Sequence, residues 1–217
     1  MMKMLILSLS LLLISAMNTV YASDQDLMVV DENQTTAVNE TALSLALAGE
    51  ASGALTFQEE EGLLFMAEEE KLAGDVYSSL NEVWNLRVFD NIGRAEQTHQ
   101  AAVETLLERY SLAVPAKPAG EFSNETLQSL YNDLVSRGEA SLEEALRVGA
   151  AIEEIDILDL QERMAQTDRE DILLVYSNLK RGSENHLRAF VNNLERRGIE
   201  YSPEHLSQEE YDEIISG

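Results

Sequence analysis

Between Thr56 and Gly198 the apolar residues recur at steps of three and four in four long runs, the period of an amphipathic helix. The first run opens at Thr56, a capping residue with Glu59 in capping-box position, and passes through Leu72, Val76, Leu80 and Val83 to about Trp84. The second starts near Asp90 or Asn91 and continues through Ile92, Ala95, Val103 and Leu106 to Tyr110. Pro115 and Pro118 end it and open a long connection. That connection carries a shorter helix, capped at Ser123 and stopped at Gly138. The third long run starts at Ser141, with Glu144 in capping-box position, and reaches about Met164. The fourth runs from a Thr167 or Asp168 cap to Gly198, and Ser202-Pro203 then caps a terminal helical turn. Three Pro and eleven Gly in 217 residues agree with helices rather than a turn-rich β fold. The expected class is all-α: a four-helix bundle of two helical hairpins, 57–110 and 141–197, joined by a long crossover with a short extra helix.

The ends read differently. In 1–22 a single Lys3 precedes an apolar run from Met4 to about Ala16, and Val20-Tyr21-Ala22 offers a cleavage site. This is the pattern of a secretory signal peptide, with an apolar run too short to span a bilayer comfortably. Cleavage would leave no membrane span, and the product would be exported, periplasmic or extracellular. After Lys3 the next basic residue is Lys71, and residues 23–55 are rich in acids, Ser, Thr, Asn and Gln. They read as a mostly disordered acidic linker, with a short helix over Thr41 to Ala48. The helical domain is then 56–205, and 206–217 an acidic tail that frays. With 15 Lys+Arg against 40 Asp+Glu, the net charge of −25 disfavours nucleic-acid backbones and suits cations. The absence of Cys excludes disulfides, thiolate metal sites and a cysteine nucleophile. P-loop, Ser–His–Asp and Rossmann glycine patterns are absent, and no organic cofactor is evident.

Acidic residues interrupt the helical stripes. Glu68, Glu69 and Glu70 fall in the middle of the first helix, and three consecutive acids cover too much arc for all to face solvent. Glu153 sits at the centre of the stripe Leu146, Gly149, Ile157, Leu160, Met164. A carboxylate on a core stripe costs several kcal/mol unless it is paired or binds metal. Glu96 and His99 lie three apart on one face of the second helix, and His186 lies inside the apolar run of the fourth. Taken singly, each has a bland reading: hydrogen-bonded histidines, solvated acids. Jointly they match the logic of a carboxylate-bridged two-metal bundle, and the long middle connection permits the ferritin-type topology. The inward acid is left open between Glu69 and Glu70, and between Glu153 and Glu154.

EKLAGDVY (Glu70 to Tyr77) resembles the first-helix motif of rubrerythrins and ferritins, and AEQTHQA (Ala95 to Ala101) resembles their second-helix motif. GLLFMAEEEKLAGDVY, NIGRAEQTHQAAVETLLERY, SLEEALRVGAAIEEIDILDL and GSENHLRAF together resemble a bacterial and archaeal ferritin-like family of undefined function, over about 58–205. The resemblance implies metal ligands at Glu70, Glu96, His99, Glu153 and His186. Glu70 and Glu153 would bridge, Glu96 would be terminal, and Tyr77 would donate a supporting hydrogen bond. It also implies a departure, because the fourth helix should read Glu-x-x-His and Ser183 stands in the glutamate position. An asymmetric, mononuclear or relic site therefore stays open.

Oxygen and imidazole ligands without thiolate suit iron or manganese, with zinc a third choice. The leading expectation is an exported ferritin-like protein with a di-iron oxidase or peroxidase-like role. The alternatives are a non-catalytic structural or interaction bundle, its buried acids paired with Arg94, Arg147 or Lys180, and an ion buffer working through its acidic surface. Helix lengths suit a monomer or homodimer more readily than a storage shell. Trp84 and Phe89 read as core.

Overall fold

A computed structural model describes residues 27–30, 36–49 and 53–217. Residues 1–22, expected to be a signal peptide, lie outside the described residues. What is described is helical, apart from one pair of three-residue antiparallel strands, β1 (Met28–Val30) and β2 (Thr36–Val38), with Met28 opposite Val38. The helices are α1 (Glu40–Ala46), α2 (Phe57–Trp84), α3 (Arg87–Arg109), α4 (Glu125–Gly138), α5 (Leu142–Met164), α6 (Glu170–Glu195) and α7 (Gln208–Ser216). Helices neighbouring in sequence pack in pairs. α2 packs along α3 and α5 along α6, and the two pairs meet through α2 against α5 and α3 against α6. α4 lies in the connection between the hairpins and packs on α2 and α5.

Caps set the helix ends. Thr56 and Glu59 form the expected capping box: Glu59 N donates to Thr56 Oγ1 at 3.2 Å, and Thr56 N donates to Glu59 Oε2 at 2.7 Å. α2 ends at Asn85, left-handed at φ 46°, so α3 begins two residues later at Arg87 rather than at Asp90 or Asn91. That early start brings Phe89 into the core, while Asp90 pairs with Arg94 on the surface. Ser141 caps α5, but the Glu144 carboxylate turns to Arg137 at 2.7 Å instead of closing a capping box. Asn124, not Ser123, caps α4, and α6 starts after Arg169, not Thr167 or Asp168. Thr167 instead donates to Glu59 at 2.6 Å.

The stretch expected as a linker differs most from its reading. Leu27, Val38, Leu43 and Leu47 are buried, in one apolar cluster with Leu63, Met66, Leu106 and Tyr176. Leu27 N donates to Asn178 Oδ1 at 3.1 Å, Val38 N to Thr98 Oγ1 at 3.0 Å, and Arg109 Nη1 to Leu47 O at 2.7 Å. Four apolar side chains and these hydrogen bonds fasten the described part of 23–55 to α3 and α6. At the other end α7 orders the stretch expected to fray, with Tyr211 buried beside Tyr201.

Two apolar clusters fill the interior. One joins Leu63, Met66, Val103, Leu106, Val175 and Leu179; the other joins Leu72, Val76, Phe89, Leu146, Phe190 and Leu194. Along α2, α3 and α6 the sequence passes from one cluster to the other, and polar residues occupy the crossing. Close contacts flank that layer. Trp84 Nε1 donates to Gly138 O at 2.9 Å. The Phe190 ring rests on Gly149, where an added Cβ would stand 2.6 Å from Phe190 Cδ1.

Gly149→Ala is therefore expected to cost about 1–3 kcal/mol through overpacking against Phe190, read as a lowered midpoint in chemical denaturation. Acid stability has a nameable source. Burial opposes ionisation of Glu59, yet hydrogen bonds from Thr167, Thr56 and Arg169 hold its pKa down at about 2. A depressed carboxylate stabilises the fold above its ordinary pKa, and that contribution is lost as pH falls from about 4.5 towards 2. Glu59→Gln should flatten this part of the stability–pH curve; an unchanged acid limb would contradict the assignment.

Candidate metal centre

Spacing in sequence delivers the site. α3 places Glu96 and His99 one turn apart on its inner face, and α6 places Ser183 and His186 likewise. α5 contributes Glu153, and α2 contributes Glu70 and, two turns on, Tyr77. All seven are buried, with exposures of 2% or less.

Glu96 is the hub. Its Oε2 lies 2.9 Å from His99 Nδ1 and its Oε1 lies 2.9 Å from His186 Nδ1. Glu70 Oε2 is 3.4 Å from His99 Nδ1, and Glu153 Oε2 is 3.5 Å from His186 Nδ1. The two imidazoles stack with centroids 5.3 Å apart and planes at 20°. Glu96, expected as a terminal ligand, is thus the carboxylate that reaches both imidazoles, while Glu70 and Glu153 each stand beside one. Tyr77 Oη donates to Glu153 Oε1 at 2.5 Å and lies 3.3 Å from Gly149 O. Its ring packs on Phe190, which rests on Gly149.

The 2.9 Å separations are short enough for hydrogen bonds, yet the directions are wrong. Both nitrogens of His99 and His186, with Glu96 Oε1 and Glu70 Oε1, have no hydrogen-bond partner. Buried polar atoms are normally partnered. Nitrogen and oxygen atoms this close without hydrogen bonds between them are a donor set that a cation could bridge. Glu96, His99 and His186 each offer a ligand atom, all within 4.8 Å of one another.

Electrostatics express the same crowding. Burial raises Glu70 to about 7, though His99 pulls it down. Burial and the charge of Glu96 raise Glu153 to about 7. Burial would also raise Glu96, but His186 and His99 outweigh it and hold that carboxyl below its ordinary value. Burial disfavours charge on His186, yet Glu96 and Glu153 lift it to about 10; His99 is raised by Glu96 and Glu70. These carboxylates need positive partners, protons on the imidazoles or a cation.

The acids left open by the sequence separate on α5, where Glu154 turns away from the imidazoles, but not on α2, where Glu69 and Glu70 are both buried. Glu68 faces the start of α4, accepting from Ser123 N at 2.6 Å and Asn124 N at 2.9 Å. Glu154 faces the C-terminal segment, accepting from Tyr201 Oη at 2.6 Å, Glu204 N at 3.0 Å, His205 N at 2.6 Å and Leu206 N at 2.9 Å. Glu70 and Glu153 are the acids beside the imidazoles. Glu69 is also buried, with neither oxygen partnered. Asp156, overlooked in the sequence, is buried one turn after Glu153 and accepts a hydrogen bond from Ser183. Its signal was present as Glu153-x-x-Asp156 on the inward stripe. Arg94, Arg147 and Lys180, expected to neutralise the buried acids, pair one turn along their own helices with Asp90, Glu143 and Glu184.

Comparison with known proteins gives relatives without an assigned activity. The model of a family described as "Uncharacterized protein domain (DUF2202)" matches residues 59–217. The uncharacterised protein MJ0754 of Methanocaldococcus jannaschii is 51% identical over 161 residues, which cover 73% of this chain and 87% of that protein. The crystal structure of hypothetical protein MJ0754 from Methanococcus jannaschii aligns with a TM-score of 0.76 at 48% identity, covering 78% of this chain and 98% of that one.

Glu154 and the imidazole-facing acids should respond differently to mutation. Glu154→Ala orphans Tyr201 Oη and three backbone N–H groups, so a loss of about 3 kcal/mol or more is expected. Thermal denaturation and hydrogen exchange over 199–216 would read it. A Glu154→Ala protein as stable as wild type would refute this structural role.

Proposed function

The chain belongs to the DUF2202 family, and on that premise we propose that it is an exported, ferritin-like four-helix bundle built around a carboxylate–histidine metal centre. The hairpin pairing and the layer between the two apolar clusters support the bundle reading. The N-terminal Lys3 and the apolar run after it support export. No helix among the described residues is long and apolar enough to cross a membrane.

One observation carries the metal reading: Glu96 and two buried imidazoles each offer a ligand atom, all within 4.8 Å of one another, while the imidazole nitrogens make no hydrogen bonds. A buried set of this kind without a cation would need several protons to offset its charge. The donors are carboxylate oxygen and imidazole nitrogen, with no thiolate anywhere in the chain, which favours iron or manganese. Such an ion would supply one-electron chemistry towards dioxygen or peroxide. The chain's own residues hold the ion, exclude bulk water and orient the ligands. Tyr77 fixes Glu153 through its hydroxyl, and Phe190 fixes Tyr77 through its ring.

The test is the metal content of the untagged protein, purified without chelator, beside a Glu96→Ala/His99→Ala double variant. Iron or manganese retained stoichiometrically by the wild type and lost in the variant is expected. A wild type that takes up neither Fe(II) nor Mn(II) while remaining folded would sink the metal reading.

A further inference from the structure

The four long helices meet along four seams, and three of these carry an overlying element. The N-terminal segment lies over α3 and α6, where Val38 N donates to Thr98 and Leu27 N to Asn178. α4 packs over α2 and α5. The C-terminal segment binds Glu154 of α5, and α7 packs on α6. The α2–α3 seam differs. A cavity of about 80 Å³ opens there, and its lining comes from α2 and α3 alone. Ser78, Asp90 and Gln97 stand exposed around it, while half-buried Gly74 and buried Gly93 form its floor.

That floor is thin. A Cβ on Gly74 would stand 3.6 Å from Glu96 Cβ and 3.7 Å from Gly93 O; one on Gly93 would stand 3.4 Å from Tyr77 Cβ and 3.8 Å from Gly74 O. Glu96 and Tyr77 therefore lie directly behind the two glycines, and Glu96 Oε1 is buried without a hydrogen-bond partner. These separations are ordinary van der Waals contacts, so each glycine has room for a methyl group. Gly138 and Gly149 are different, because a Cβ there would stand 2.6 Å from Leu80 Cδ2 and from Phe190 Cδ1. Packing demands those two glycines and does not demand Gly74 or Gly93. A glycine inside a helix is less stable than alanine, and here two face each other where nothing in the packing compels them.

We infer that the α2–α3 seam is the port through which a divalent cation reaches Glu96, kept open by the missing side chains at Gly74 and Gly93. The cavity has room for a few waters rather than a large ligand. Ser78, Asn81 and Gln97 carry neutral side-chain oxygens at its mouth, the kind that replace hydration waters around a hard cation. Arg94, the positive charge at the rim, is tied to Asp90 at 2.6 Å and to Asn91 at 2.8 Å. This inference rests on the metal reading above and adds the route by which the ion enters.

The time course of Mn(II) uptake by the chelator-treated full chain, followed through loss of the free ion's electron paramagnetic resonance signal, tests it. Gly74→Ala and Gly93→Ala are each expected to slow uptake about tenfold or more, with the amount bound at saturation unchanged. Both are also expected to raise the thermal midpoint of the metal-free protein, because the methyl fits and alanine favours the helix. Slower uptake by a more stable protein is a result that a packing role does not give. Variants that load as fast as wild type would overturn the port while leaving the metal centre in place. Variants that melt lower, or bind less at saturation, would overturn it too, since the glycines would then serve packing or ligand geometry. A wild type that binds no Mn(II) would overturn the metal reading and this inference together.

Discussion

The interior of this protein is organised by the need to bury carboxylates without leaving their charge uncompensated. Glu70, Glu96, Glu153 and Asp156 face inward from α2, α3 and α5, at exposures of 5% or less. Uncompensated, each would cost several kcal/mol. His99 and His186 are placed among them, and Ser183 and Tyr77 donate to the two acids of α5. The apolar clusters above and below this layer fix the helices so that the polar groups cannot separate. Packing and electrostatics therefore depend on one another.

The rest of the molecule tightens around that layer. The Phe190 ring stands on Gly149, Tyr77 leans on Phe190, and the Tyr77 hydroxyl holds Glu153. Glu68 and Glu154, neighbours of site residues, turn outward to fasten α4 and the segment before α7. Adjacent acids on one helix thus serve two purposes, because 100° per residue points them at different partners. The segment before α2 closes the opposite end of the body, burying Leu27 and Leu43 against α3 and α6.

The proposed metal reading draws on one chemistry. A buried set of oxygen and imidazole donors, with hydrogen-bonded carboxylates behind it, can hold an ion and tune it. A relative 51% identical over most of its own length, with a solved structure of the same fold, makes the arrangement testable in two proteins.

The sequence by itself determined the four long helices and the inward faces of Glu96, His99 and His186, and it narrowed the inward acids of α2 and α5 to Glu69 or Glu70 and Glu153 or Glu154. Periodicity is a local property, and acids or histidines on an apolar stripe announce themselves. The family resemblance added Tyr77 and Ser183 as residues beside them. Three things were decided only by tertiary structure. Glu96 became the hub because α3 and α6 approach closely enough for one carboxylate to meet both imidazoles. Asp156 is met by Ser183 from another helix, a relation no spacing along one helix reveals. The stretch over 23–55 looked like a tether because its acids outweigh its few apolar residues in composition. The described residues within it are ordered because Leu27, Val38, Leu43 and Leu47 find apolar partners that belong to helices distant in sequence.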